Sequence, residues 1–146
     1  MNAPAVFTTD EIRVLEERGA KAIAGGATLM ERAGAATARA AVALAPDSGA
    51  PLLVVAGPGN NGGDAWVAAA RLRESFHRVV VHDAAGTAPR APEAKAAVAR
   101  FLALGGRTVP EWPADLQPGL VIDGLFGIGL ARDVEGPLAI LVNRIN

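Results

Sequence analysis

A chain of 146 residues that is 51% hydrophobic and 20% charged is long enough for one domain with a core and too apolar to be disordered. An aromatic content of 4% with no tyrosine, together with a formal net charge of -1, excludes the stacking surface and positive field of a nucleic-acid binder. With no cysteine, disulfides, thiolate metal sites and thiol nucleophiles are excluded as well, which fits a reducing compartment.

No apolar run approaches the roughly 18–20 residues needed to span a bilayer, and Met1 to Asp10 lacks the basic end and apolar stretch of a secretory signal. The expectation is a single domain over residues 1–146, cytoplasmic, with no membrane and no nucleic acid among its partners. Thr8-x-x-Glu11 has capping-box spacing and opens a short helix with Ile12, Leu15 and Gly19 on one side. Thr28-x-x-Glu31 opens a longer one, with Met30, Ala33, Thr37, Ala41 and Leu44 at helical spacing and Pro46 and Gly49 at its end. Leu52 to Ala56 is a short apolar run between Pro51 and Gly57, the pattern of a strand buried on both faces.

A glycine-rich loop follows, then a helix presenting Ala65, Ala68, Leu72 and Phe76 on one face. Val79 to Val81 reads as a second strand, followed by a loop with Gly86 and Pro89. Glu93 to Leu104 reads as a helix with Ala97, Phe101 and Leu104 inward, and Arg107 to Val109 as a weak strand. Leu120 to Ile122 is a further strand ending at Asp123. Gly136-Pro137 starts a last helix with Leu138, Leu141, Val142 and Ile145 as its apolar stripe. This alternation predicts an α/β fold: a Rossmann-like three-layer α/β/α sandwich with a mainly parallel sheet, preceded by two N-terminal helices.

Ligands of open parallel sheets bind at the carboxyl ends of the strands. Two loops leave strands there, Gly57 to Asp64 and Asp123 to Asp133, and they converge only if their strands are near neighbours. The first matches Gly-x-Gly-x-x-Gly at Gly57, Gly59 and Gly62, with Asp83 about 20 residues beyond, as in a dinucleotide-binding fingerprint. Unlike an ordinary fingerprint it also carries Asn60, Asn61 and Asp64, and two helices precede its strand. Glycines allow close backbone approach, helix-start amides attract anions, and asparagine oxygens suit a hard cation. The bland alternative is a tight turn capped by Asn or Asp. In the second loop Asp123 could be a cation ligand or acid/base group and Arg132 a phosphate partner, against a turn aspartate and a solvated arginine. His77 and His82 have no ligand-spaced partner and read as surface or packing residues. Trp66 could wall a pocket or pack, Met30 reads as core, and Arg71 and Arg73 as solvated helix charges.

Three segments occur in order: Leu29-Met30-Glu31-Arg32-Ala33-Gly34, Gly57-Pro58-Gly59-Asn60-Asn61-Gly62-Gly63-Asp64 and Asp123-Gly124-Leu125-Phe126-Gly127-Ile128-Gly129-Leu130. Together they resemble the YjeF N-terminal domain family, the NAD(P)HX epimerases, over almost the whole chain. The resemblance implies interconversion of the R and S forms of hydrated NADH or NADPH, a repair step serving a partner dehydratase, fused or separate, and a homodimer. It also implies substrate contacts from Asn60, Asn61, Gly62, Gly63 and Asp64 and from Gly127, Ile128, Gly129, Leu130, Ala131, Arg132 and Asp133. A potassium ion (K+) would be bound with the help of Asn61 and Asp123.

Epimerisation by loss and return of hydroxide requires a positioned acid/base group. Family members continue past the position of Asn146 into a strand and an Asp-x-Pro-Ser-Gly motif, so the aspartate expected to be catalytic lies beyond Asn146. Ala65 stands where the family usually has glycine, a change expected to narrow the pocket. Two alternatives keep the fold: a catalytically inactive nucleotide-binding or scaffold module, and a conventional NAD-dependent oxidoreductase domain in which Asp83 meets an adenosine ribose.

Overall fold

A computed structural model describes residues 5–23, 25–45, 49–86, 88 and 90–146; Pro46 and Pro89 lie outside the described residues. The elements are α1 (Thr9–Ala22), α2 (Leu29–Leu44), β1 (Leu52–Ala56), α3 (Asn60–Glu74), β2 (Val79–Asp83), α4 (Pro92–Ala103), β3 (Arg107–Val109), β4 (Leu120–Gly124) and α5 (Gly136–Ile145). Both capping boxes form: Thr8 and Thr28 accept from the Glu11 and Glu31 amides, and each glutamate accepts from its cap's backbone N–H.

The sheet order is β3-β2-β1-β4 with every pair parallel. From β1 the chain moves outward through β2 and β3, then returns to place β4 on the other side of β1. The strand order therefore reverses between β1 and β4, the place where open α/β sheets bind ligands.

Alternate residues of the central strands enter two cores. Leu52, Val54 and Ala56 of β1, with Val79, Val81 and Ile122, pack under α2, α3 and α4. Leu53, Val55 and Val80 face Leu125 and Leu141, with Val109, Trp112, Val121 and Leu138 alongside. Three layers result, as the alternation of elements predicts. The side with α3 is the denser one. Trp66, only 1% exposed, meets Phe101 edge-on with ring centroids 5.6 Å apart. Trp66 is thus core and walls no pocket.

Several expected faces shift. The buried stripe of α2 is Gly34, Ala38 and Ala41, whereas Ala33 and Leu44 are exposed. The cause is close approach: a Cβ at Gly34 would overlap the Val67 side chain and lie 2.6 Å from the Asp64 carbonyl oxygen. Phe76 is 94% exposed and lies beyond α3 with φ 63°. It occupies the left-handed position that ends the helix, its N–H donating to the Arg73 carbonyl and that of His77 to the Leu72 carbonyl. Leu104, 37% exposed, likewise ends α4 instead of entering the core. Arg73 is more than a solvated charge, because its guanidinium donates to the carbonyls of His77 (3.1 Å) and Leu104 (3.0 Å) and ties the ends of α3 and α4. Arg71 pairs with Glu74 at 3.6 Å.

Candidate functional site

The two glycine-bearing loops do converge, because β1 and β4 are paired neighbours with Val55 opposite Asp123 and Ala56 opposite Gly124. Pairing continues past β1, where the Gly57 N–H donates to the Gly124 carbonyl at 3.0 Å. A Cβ at residue 57 would overlap the Leu125 carbonyl, and one at residue 62 the Gly57 carbonyl. Both neighbours are backbone and cannot yield, so glycine is required there for closeness rather than for an unusual φ. The Asn61 side-chain N–H donates to the Phe126 carbonyl at 2.8 Å and locks one loop to the other. At residue 127 a Cβ would stand 3.4 Å from that of Asn61.

Helix α3 starts inside this junction. Its cap, Gly59, supplies no side-chain acceptor, and its first turn holds no acidic residue. Its leading amides and the positive end of its dipole therefore remain available to an anion. They open into a cavity of about 830 Å³ walled by Pro58 to Asn61, Asp64, Leu125 to Arg132, and by Ile12, Arg13 and Glu16 of α1. A second cavity of about 840 Å³ lies on the other side of Asn60 and Asp64, under Glu16, Ala20 and Ile23, and is bounded by Thr28 to Met30, Arg32 and Glu93. Glu16, Asn60 and Asp64 line both. Asp64 is half-buried, and that burial, reinforced by the Glu16 charge, pushes its carboxyl up to about 6. A carboxyl so raised can exchange a proton near neutral pH.

Of the sequence-predicted residues, Asn60, Asn61, Asp64 and Gly127 to Arg132 share the first cavity. Gly62 and Gly63 are buried behind it, Gly63 against the Met30 side chain. Asp133 faces a smaller neighbouring cavity of about 210 Å³ that Arg132 also borders. Asp123 is not among the walls of either large cavity; one of its oxygens accepts from the Leu125 N–H at 2.9 Å and closes the turn after β4. Ala65 does not narrow the pocket, being 2% exposed, with its methyl 2.5 Å from where a Cβ of Gly124 would lie. Glycine at 124 makes the room that alanine at 65 uses. Asp83 sits opposite Ala56, the position a dinucleotide fingerprint predicts, but its carboxylate accepts from Arg90 at 2.6 Å and from the Ala85 N–H. His82 is buried, its Nδ1 3.3 Å from the Val109 carbonyl oxygen.

Among the described residues no group of three His, Cys, Asp or Glu side chains could hold a metal. The donors left at the loop junction are nevertheless all oxygens. With its N–H on Phe126, Asn61 keeps its amide oxygen, and Asp123 keeps its second carboxylate oxygen. That set fits a hard cation completed by main-chain carbonyls.

Arg13 and Glu16 escape a reading of the sequence that puts Ile12, Leu15 and Gly19 on one side of α1; Ile12 and Gly19 are indeed half-buried, a Cβ at Gly19 lying 3.6 Å from the Leu29 side chain. Leu15 is 45% exposed, and the cavity stripe runs through Ile12, Glu16, Ala20 and Ile23. The usable signal was a charged residue inside an i, i+4, i+8 apolar series.

Such a parallel sheet, with a glycine-and-amide loop at its reversal point, defines an α/β protein with a candidate ligand site between β1 and β4. Comparison narrows the class. Residues 26–146 match the family model of the YjeF-related protein N-terminus. The chain belongs to that family. It is 47% identical over 121 residues to the NAD(P)H-hydrate epimerase of Bordetella pertussis, covering 83% of this chain and 52% of that protein. It is 42% identical over 125 residues to the bifunctional NAD(P)H-hydrate repair enzyme Nnr of Gloeobacter violaceus, covering 81% and 23%. The chain thus spans about half the length of the B. pertussis relative. The crystal structure of yeast ynu0 superposes with a TM-score of 0.75 at 23% identity, covering 97% of this chain and 65% of that one, and shows the shared fold. No helix among the described residues is long and apolar enough to cross a membrane.

Proposed function

We propose that the chain acts on hydrated nicotinamide dinucleotides, as an NAD(P)H-hydrate epimerase that interconverts the R and S forms in cofactor repair. One observation carries the reading: the Asn60–Asp64 and Leu125–Arg132 segments, which hold the family's motifs, wall one cavity at the sheet's reversal point. The uncapped amides of α3 and Arg132 suit the pyrophosphate. Asn60 and Asn61 supply amide groups for the hydrated ring and ribose. Asp64 can give and take a proton close to neutral pH, which loss and return of hydroxide demands. The family's Asp-x-Pro-Ser-Gly carboxylate would complete the acid/base pair.

K+ would be held by Asn61 and Asp123 and would supply a fixed positive charge to the site. Product of the right hand would pass to a dehydratase, on the same chain or another; the bifunctional repair relative supports that arrangement. A cytoplasmic homodimer completes the proposal.

Proton NMR on the separated hydrates tests it. Interconversion above the spontaneous rate, faster in K+ than in tetramethylammonium buffer, is expected. Binding of the hydrate with no acceleration, in verified folded protein, would replace this reading with a catalytically inactive nucleotide-binding module.

A further inference from the structure

α1 has no buried residue, and its side-chain hydrogen bonds are internal: Thr8 with Glu11, Arg13 with Asp10 and Lys21 with Glu17. A free 14-residue helix is marginal in water. Its place over the cavities therefore has little to do with filling the core. Ile12 and Arg13 wall one cavity, Ala20 and Ile23 the other, and Glu16 both. From Ile12 to Ile23 the helix rises about 16 Å, and its residues line both cavities. It also lies outside the matched residues 26–146.

Arg13 is the cation that α1 brings to the cavity into which the amides of α3 open. Its one ion pair among the described residues, with Asp10, is 3.5 Å long between side chains 61% and 92% exposed, so it holds the guanidinium weakly. Arg132 borders the same cavity and has no ion pair among the described residues. Two exposed guanidiniums, one of them only weakly paired, and an uncapped helix start border one cavity. That combination suits a group carrying two negative charges and several acceptor oxygens. Glu16, a turn further along α1, and Asp64 of α3 line both cavities and repel phosphate beside them, which favours the Arg13 end.

We infer that α1 is part of the binding site and that Arg13, with Arg132, holds the pyrophosphate of a dinucleotide ligand. The inference rests on the nucleotide reading above and adds to it a phosphate-binding residue from α1.

Calorimetry of the 146-residue chain with ADP-ribose as probe, at low and at 0.5 M salt, tests it. Arg13→Gln weakens low-salt binding about tenfold, the loss of one charge-assisted contact, and flattens the salt dependence. Arg13→Lys recovers part of the affinity. Arg18→Gln, an exposed α1 charge away from both cavities, leaves it unchanged. Because Arg13 is exposed, folding should survive, and circular dichroism confirms that. Binding within twofold of wild type in Arg13→Gln, while Arg132→Gln is impaired, overturns the assignment. An equal loss in Arg18→Gln does so too, by showing a diffuse charge effect. A wild-type chain that binds neither ADP-ribose nor the hydrate removes both this inference and the nucleotide reading. One that binds through Arg13 without epimerising removes only the activity.

Discussion

Asp64 is held in a state its charge opposes, and Asp64→Asn measures the cost. Its carboxyl is raised from 3.8 to about 6, first by burial and then by Glu16. A shift of about 2 units corresponds to roughly 3 kcal/mol at most; partial access to the two cavities screens it, leaving about 1–2 kcal/mol. The folded state binds this proton more tightly than the unfolded state does. The group's contribution is therefore fully present below pH 3.8 and is lost as pH rises through 6. Asparagine keeps the shape without the charge, and position 64 is the fifth residue of α3, beyond the turn where the helix dipole rewards an acid. Urea unfolding of D64N and wild type from pH 4 to 8 should give equal stabilities at pH 4 and a variant more stable by about 1–2 kcal/mol at pH 8. Glu16→Gln should recover a smaller share, since its charge is the second cause. A D64N difference that is constant across this range, or that favours wild type at pH 8, would refute the reasoning.

Phe76→Gly should stabilise the protein by about 1 kcal/mol in urea melts, because glycine carries no left-handed penalty at the residue ending α3; Gly105 already fills the matching position after α4 at φ 69°. Gly57→Ala should cost about 1–3 kcal/mol and abolish ADP-ribose binding in calorimetry, since the new methyl meets the Leu125 carbonyl and pushes the loops apart. Asn61→Ala should lower stability by about 1 kcal/mol by freeing the Phe126 carbonyl. Asn61→Asp breaks the same donation but keeps an oxygen donor, so its binding or turnover should stay more responsive to potassium than that of Asn61→Ala.

What could be read from the sequence depended on whether the signal was local. Both capping boxes, strand β1 to the residue and the Pro137 helix start follow from chain neighbours alone, and all three form. Even the three-residue strand at Arg107–Val109 is present. Helix faces fared worse where packing partners lie far away in sequence. Gly34 is buried because Val67 and the Asp64 carbonyl press on it, and α2's own spacing cannot reveal that. Phe76 fits the apolar series of α3, yet the helix ends at Glu74 and the residue turns left-handed into solvent. The glycine loop was legible as a polar strand-to-helix junction, and β1 does pass through it into α3. Its convergence with the β4 loop was not, because adjacency of β1 and β4 is a property of strand order. Arg13 and Glu16 were hidden for a similar reason: on a helix without a buried residue, only the neighbouring cavities tell which side matters.

The charges around the site divide along α1, and that division bears on how a ligand would lie. Arg13 and Arg132 border one cavity, Arg32 and Glu93 the second, and Glu16 and Asp64 line both. Above pH 6 the Asp64 carboxylate repels phosphate but accepts hydrogen bonds from ribose or ring hydroxyls. A dinucleotide gripped at Arg13 would therefore direct an uncharged, hydroxyl-bearing half toward Asp64. That is the half on which a proton-exchanging carboxyl is useful. The burial that destabilises Asp64 and the cations that hold the phosphates would then serve one orientation. On this reasoning D64N is expected to gain stability while losing turnover, leaving the affinity for ADP-ribose governed by Arg13.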